Sequence, residues 1–192
     1  MNTQQQAPLQ PKDHALVEQR MREWIEKAVI GLNLCPFARK VYQANQVRLV
    51  ISHARHLDTL LEDLDRELDY LASTPVEQTD TTLLVHPTLL ADFADFNEVT
   101  GIAEEAVIEH GLEGIIQIAS FHPQFRFADT SADAIENYTN RAPYPTFHLI
   151  RESSLTEAIS SYPHPEQIYQ RNMDTLRTLG LSGWQALFDK TA

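Results

Sequence analysis

Residues 114–152 read GIIQIASFHPQFRFADTSADAIENYTNRAPYPTFHLIRE, and the interpretation of the whole chain starts from this stretch. The run from Ile115 to Ala119 is apolar and β-branched enough for a buried strand, and Thr146 to Arg151 predicts another. The connection between them, residues 123–145, is several times longer than the usual loop of about 4–6 residues. Its aromatic side chains are interleaved with Arg126 and Arg141, a composition that is not typical of disorder. We therefore expect an ordered loop that forms a functional site.

The totals are those of a single globular domain. The chain has 192 residues, a hydrophobic fraction of 43% and one cysteine, which rules out an intramolecular disulfide. Residues 1–12 are polar and Gln-rich, so a flexible N-terminal tail is expected there, followed by one domain over residues 13–192. The sequence has no apolar run of membrane-spanning length and no signal-peptide core, so a cytoplasmic location is expected.

The charge of the chain restricts its partners. A net charge of -12 argues against binding to nucleic acid or to an anionic membrane, because both require concentrated positive charge. Within this acidic protein, the 114–152 stretch carries three arginines, so a local pocket for a small anionic molecule is expected. The sequence indicates no cofactor and leaves the oligomeric state open. It has no Walker or dinucleotide glycine motif, and Ser120, Ser153 and Ser154 lack the Gly-x-Ser-x-Gly context of a serine hydrolase.

Hydrophobic periodicity gives the order of the elements. Strands are predicted at Val47–Ile51 and Leu83–Val85, each followed by an amphipathic helix, and two helices follow Arg151. Because strand-helix-strand crossovers make strands parallel, the first three strands should run in one direction. The expected fold class is α/β, with α+β as the alternative. Its four-stranded, mostly parallel sheet is flanked by helices and has the long ordered loop between strands three and four.

Histidines follow the last apolar residues of three predicted strands. His53, His86 and His122 should therefore come out at the carboxyl edge of the sheet, where ligands bind in open α/β folds. The alternative is that they only hydrogen-bond turns or end the strands. His122 is the predicted general acid or base near neutral pH. A metal site using His86 and His122 is a lesser alternative, since no zinc-type ligand spacing accompanies them.

The thiol and the loop residues supply further candidates. Cys35 follows a helix exit and is either a nucleophile or a small buried side chain. Arg141 and Asn140 are predicted to bind the substrate, because a guanidinium fork and an amide suit a carboxylate or phosphate. The predicted assisting residues are Arg126 and Arg151, with Tyr138 and Tyr144 as walls of the pocket. The alternatives are arginines paired with Glu136 or Glu152 to fix the loop, and aromatics that pack beneath it.

Several motifs together resemble a known family. They are Leu34-Cys35-Pro36-Phe37-Ala38, Phe121-His122-Pro123, Asn137-Tyr138-Thr139-Asn140-Arg141 with Pro143-Tyr144-Pro145, His148-Leu149 with Arg151-Glu152, and Arg171-Asn172. The sequence is similar in these to a bacterial family catalogued as domain of unknown function fourteen-fifteen, over nearly the whole chain after the tail. The resemblance implies that Cys35, His122, Asn140, Arg141 and Arg151 belong to the family pattern. It implies no cofactor and no substrate.

The sequence therefore predicts an enzyme that acts on a small anionic metabolite at the carboxyl edge of its sheet. Arg141 and Asn140 would hold the anion, His122 would transfer protons and Cys35 is the possible nucleophile. The reaction remains open between a transferase and a hydrolase. Two rival hypotheses are a non-catalytic ligand-sensing or protein-interaction module, and a metal-binding protein that uses the strand-end histidines.

Overall fold

A computed structural model of the protein describes residues 11–189, and none of the helices in that range is long and apolar enough to cross a membrane. Of the predicted tail, residues 1–10 lie outside the described residues, and the first helix already begins at Pro11. The helices are α1 Pro11–Trp24, continued by a π-helical segment Ile25–Ile30, α2 Ala38–Gln43, α3 Leu57–Ser73, α4 Phe93–Glu109, α5 Glu152–Ser160 and α6 Ile168–Ala186. The strands are β1 Val47–Ile51, β2 Thr81–Val85, β3 Ile116–Phe121 and β4 Thr146–Arg151.

The four strands form one mixed sheet in the order β1-β2-β4-β3. β1 pairs with β2 in parallel, whereas β4 is antiparallel to both β2 and β3. The first three strands therefore run in one direction, as predicted. The prediction of a mostly parallel sheet was wrong, because β4 lies between β2 and β3 and runs the other way. The connection between β3 and β4 stays at one edge of the sheet, and a chain that returns from the same edge must run antiparallel.

Two helical layers cover the two faces of the sheet. The regular leucine spacing of α3 produces an apolar stripe, and α3 and α4 together cover one face. Helices α1 and α6 cover the other face. Side chains alternate between the faces along each strand, so that Leu84, Phe147 and Leu149 point to α3 and α4 while Leu83 and Val85 point to α1 and α6.

Two helix starts illustrate how local chemistry sets boundaries. α4 begins at Phe93 because the Asp92 carboxylate caps it, accepting the backbone N–H of Ala94 at 2.7 Å. Ser154 and Glu157 have the spacing of a capping box, but they do not start the helix, because α5 begins at Glu152 immediately after β4. Ser154 instead donates a hydrogen bond to the Asp80 carboxylate before β2. This contact ties α5 to the start of the central strand.

The pairing register brings the strand ends into line. Ile51 of β1 is paired with Val85 of β2, Val85 with Thr146 of β4, and Thr146 with Phe121 of β3. The residues that follow the first three strands therefore leave the sheet side by side at its carboxyl edge.

Candidate functional site

A buried polar row crosses the carboxyl edge of the sheet. We define it as Ser52, His86 and His122, the residues that directly follow the last residues of β1, β2 and β3. All three are buried and lie on the face covered by α3 and α4, since Ser52 contacts Asp63 of α3 and both histidine rings contact Phe96 of α4. Sequence reasoning named His53 rather than Ser52. The missed signal was the spacing, because Ser52 follows β1 at the same offset at which the two histidines follow β2 and β3.

His53 lies outside the polar row. Its side chain is exposed, and its ring stacks on the ring of His14 of α1 with centroids 5.4 Å apart. A residue one position further along an extended chain points to the opposite side, which explains the different environment.

His122 is fully engaged by the backbone. Its Nδ1 accepts the N–H of Gln124 at 3.0 Å, so the proton lies on Nε2, which donates to the carbonyl oxygen of Leu90 at 3.0 Å. Its ring packs against Phe93 and Phe96, and burial lowers the pKa of His122 despite the hydrogen bond to Leu90. In this arrangement neither ring nitrogen is open to a substrate. The geometry accounts for His122 as a link between the start of the long loop and the segment before α4.

His86 differs from His122, because neither of its ring nitrogens has a hydrogen-bond partner among the described residues. The ring lies 4.9 Å from that of Phe147 and 5.8 Å from that of Phe96, between centroids. Burial lowers the pKa of His86 to about 3, so the ring is neutral at physiological pH. The hydroxyl of Thr82, four residues earlier on the same face, is also unpartnered within the described residues. Within residues 11–189, no group of three or more His, Cys, Asp or Glu side chains is arranged to hold a metal ion, whether with these histidines or elsewhere.

Asn140 and Arg141 organise the long loop. Arg141 donates from Nε to the carbonyl of Phe125 at 3.2 Å and from Nη2 to that of Ala132 at 2.7 Å. Its guanidinium carbon lies 4.3 Å from the centre of the Tyr138 ring. The side-chain amide of Asn140 donates to the carbonyl of Ser120 at 3.3 Å, and the backbone carbonyl of Asn140 accepts the N–H of His122 at 3.1 Å. Buried backbone groups need such partners, so both residues have a structural task in fixing the loop along β3.

The other predicted substrate residues are dispersed. Arg151 donates to the carbonyls of Leu71, Thr74 and Thr79, which fixes the C-terminal end of α3 against β4. Tyr138 packs on the ring of Trp184 with centroids 5.1 Å apart. The Tyr144 hydroxyl accepts a hydrogen bond from Arg20 of α1 at 3.2 Å. Arg126 is exposed on the loop. The structure therefore does not gather these side chains around one hollow with the His122 ring.

Cys35 lies on the far side of the sheet from His122. Its neighbour Leu34 packs in the core beneath α1 and α6, and the Leu34 carbonyl accepts a hydrogen bond from Asn172 of α6 at 2.8 Å. The π-helical segment before it closes tightly, because a Cβ at Gly31 would lie 2.2 Å from the carbonyl oxygen of Lys27. Burial raises the pKa of the Cys35 thiol. The predicted nucleophile and the predicted base are thus separated by the sheet.

A cavity of about 320 Å³ opens where β1 leaves the sheet beside α3, and Ser52, His53, Thr59, Asp63 and Arg66 contribute to its lining. The Ser52 hydroxyl donates to Oδ2 of Asp63, and Oδ1 of the same carboxylate pairs with Arg66. Glu67, also in the lining, is held by Arg48 through two hydrogen bonds of 2.7 and 3.0 Å. The polar row therefore reaches a solvent-accessible space at its Ser52 end.

The comparisons with known proteins agree with the motifs of the sequence. No functionally curated protein and no solved structure matches the chain. A family model described as protein of unknown function (DUF1415) matches residues 16–186, a range that includes the cavity, the polar row and the long loop. This match extends over most of the chain, and the protein therefore belongs to the DUF1415 family.

Proposed function

We propose that the protein binds a small anionic molecule at the carboxyl edge of its sheet, in the cavity between β1 and α3. The observation that carries the proposal is the position of this cavity. It lies beside the exposed guanidinium of Arg66, next to His53, and at the N-terminal turn of α3, which contributes Thr59. These are the groups that attract and orient a carboxylate or phosphate.

The acidic residues of the lining do not oppose an anion strongly. Glu67 is held by both donors of the Arg48 fork, and Asp63 receives hydrogen bonds from Ser52 and Arg66. The Arg66 side chain is 66% exposed, and exposed ion pairs contribute only about 0–1 kcal/mol. An incoming anion can therefore compete for Arg66, whose guanidinium has five donors.

The N-terminus of α3 adds donors that the helix itself does not use. His56 occupies the N-cap position, and its side chain makes no capping hydrogen bond. The first N–H groups of a helix lack intrahelical partners, and the helix dipole places partial positive charge at the same end. A 17-residue helix such as α3 has this property in full. The anion would lie in the cavity, whose lining includes both Thr59 of this turn and Arg66.

The proposed site lies at the carboxyl edge of the sheet, as the sequence predicts, but at the β1 end of that edge and not at Arg141. Arg141 and Arg151 remain predicted substrate residues, but their guanidinium groups are already bonded to backbone carbonyls. Binding at either residue would require a substrate to break contacts that hold the fold together. Arg66 carries no such restriction, because within the described residues it pairs only with the neighbouring carboxylate of Asp63.

The test is a titration of the protein with inorganic phosphate and with citrate, followed by two-dimensional NMR of labelled protein. We expect the largest shifts in the backbone amides of residues 52–59. Arg66→Ala should weaken binding by about tenfold or more, which corresponds to about 1.4 kcal/mol. Arg177→Ala is the matched control, because Arg177 is also exposed on a helix and also pairs with an aspartate three residues earlier. Equal effects of the two substitutions, or shifts centred on Arg141, would refute the proposed location.

A further inference from the structure

The hydroxyl of Ser52 differs from that of an ordinary turn serine in its surroundings. Ser52 is 2% exposed, yet it contributes to the wall of the cavity. Its Oγ donates to Oδ2 of Asp63 and accepts the N–H of Ala54 at 3.0 Å. A hydroxyl has one proton and two lone pairs, so one lone pair of Oγ is left. It is the lone pair with which Oγ would attack a molecule bound in the cavity.

Asp63 is placed to take the proton of this hydroxyl. Its carboxylate is within hydrogen-bond reach of Oγ, which is the geometric requirement for a general base. The carboxylate side chain is 13% exposed and its other oxygen pairs with Arg66. An anionic substrate that engages Arg66 would therefore lie beside both this carboxylate and the Ser52 hydroxyl.

We propose that Ser52 is the nucleophile of a hydrolase that cleaves carboxylic esters of small anionic acids, with Asp63 as its general base. The inference rests on the proposed anion site, since the substrate's free carboxylate would be the group held by Arg66. The Gly-x-Ser-x-Gly context is absent around Ser52. The pair is instead assembled by a tertiary contact between the end of β1 and the second turn of α3, which no local motif encodes.

The reaction balances with water as the only other reactant. Ser52 Oγ bonds to the ester carbonyl carbon while its proton passes to Asp63, and the carbonyl electron pair moves to oxygen. The N–H groups of the first turn of α3, whose Thr59 lines the same cavity as Ser52, would be the donors that stabilise that oxyanion. When the carbonyl re-forms, the bond to the alcohol breaks and the alcohol takes the proton from Asp63. Water then adds to the acyl-serine, again giving a proton to Asp63, and the acid leaves as Oγ recovers its proton.

A second pair of serine and aspartate in the protein serves as a control for a purely structural hydrogen bond. Ser154 also donates to an aspartate, Asp80, in a partly buried contact at the start of α5. Ser154 does not line the cavity beside β1. A hydrogen bond between serine and aspartate is common to both sites, and only Ser52 combines it with the cavity and Arg66. A difference in reactivity between the two serines would therefore be due to the cavity and Arg66, and not to the hydrogen bond between serine and aspartate.

The first experiment treats the native protein with a fluorophosphonate probe and locates the adduct by intact-mass and peptide mass spectrometry. We expect a single adduct on Ser52, and a labelling rate about tenfold or more slower in Asp63→Asn. Ser154→Ala should label as fast as the unaltered protein. The absence of an adduct, an adduct on Ser154, or unchanged labelling of Asp63→Asn would overturn the proposal. Mapping in the unaltered protein identifies the serine even if Ser52→Ala fails to fold.

The second experiment measures hydrolysis of the mono-p-nitrophenyl ester of succinic acid and of the neutral p-nitrophenyl acetate. The anionic ester should be preferred by about tenfold or more in kcat/KM, and Arg66→Ala should abolish the preference. No hydrolysis of either ester above the rate in Ser52→Ala would overturn the proposal. The experiments distinguish failure of the nucleophile hypothesis from failure of the anion-site hypothesis. If phosphate still binds near Arg66 while Ser52 is inert, only the nucleophile is wrong, whereas loss of the phosphate site itself refutes the proposed function.

Discussion

Replacing His86 with leucine should make the protein less sensitive to acid. The His86 ring is fully buried between aromatic rings, and burial lowers its pKa to about 3. In the unfolded chain the same histidine titrates near its ordinary value of about 6.5. Between these values the unfolded state binds a proton that the folded state does not. The free energy of unfolding must therefore fall as the pH falls through this window, and the native protein loses stability toward acid.

The magnitude follows from the width of the window. Each pH unit in which only the unfolded state is protonated costs about 1.4 kcal/mol. The His86 contribution to the loss is then about 2 kcal/mol at pH 5 and approaches about 5 kcal/mol near pH 3. His86→Leu removes this titration. At pH 7 the variant should be within about 1 kcal/mol of the unaltered protein, because leucine leaves a small void but also eliminates two unpartnered buried nitrogens.

Urea denaturation at pH 7 and pH 5, followed by the fluorescence of the buried Trp24 and Trp184, measures the difference. His56→Leu is the control, since His56 is exposed and its side chain makes no capping bond. Burial also lowers the pKa of His148 to about 4, but that residue is present in every variant and its effect cancels in the comparison. If His86→Leu and the unaltered protein lose the same free energy between the two pH values, His86 does not remain neutral in the fold and the reasoning fails.

Three further predictions concern other residues of the structure. Arg151→Met keeps the aliphatic stem but removes the hydrogen bonds to three backbone carbonyls, so it should lower the free energy of unfolding by about 3 kcal/mol. Phosphate binding should be unchanged. Lost binding with unaltered stability would identify Arg151 as a ligand instead. His110 is held by Asp69 and Asp65, and although burial acts to lower the pKa of His110, these hydrogen bonds raise it overall. The stabilisation from protonated His110 is present in full below the ordinary pKa of about 6.5 and is lost as the pH rises through the raised pKa. His110→Gln should therefore cost more stability at pH 5.5 than at pH 8.5, as measured by urea titration at both pH values. Cys35 is half-buried, and burial raises the pKa of its thiol, so native protein should react slowly with iodoacetamide at pH 7 and about tenfold faster when unfolded; equal rates would contradict the raised pKa.

The positions of the strands and the common direction of the first three could be predicted from the sequence, but the direction of β4 and the order of the strands could not. Val47–Ile51 and Thr146–Arg151 are strands with the predicted bounds, because a short β-branched run is a local property. The place of β4 between β2 and β3 depends on pairing between residues distant in the chain. One local sign of it is visible in retrospect. Phe147 and Leu149 are buried on one face while Thr146 is buried on the other, as a central strand requires.

The proposed site differs from the one predicted from the sequence, for a related reason. An arginine fork suits a backbone carbonyl as well as it suits a substrate carboxylate, and the sequence does not say which acceptor lies nearby. A long loop folded against a sheet carries many carbonyls that need donors, so Arg141 was recruited by Phe125 and Ala132. Ser52 went unnoticed because its partner Asp63 is brought to it only by the packing of α3 on β1.

The topology also explains why a ligand site is expected at one end of the polar row and not at the other. His86 follows a central strand, and the aromatic rings of Phe96 and Phe147 seal it from solvent. His122 follows β3 at one margin of the sheet, but the long loop runs along that margin, where Asn140 bonds to both Ser120 and His122. β1 forms the other margin, and there the row ends at a cavity instead of a covering segment. The loop that the sequence marks as site-forming thus closes one end of the edge, whereas the proposed site at Ser52 lies at the end that a cavity leaves open.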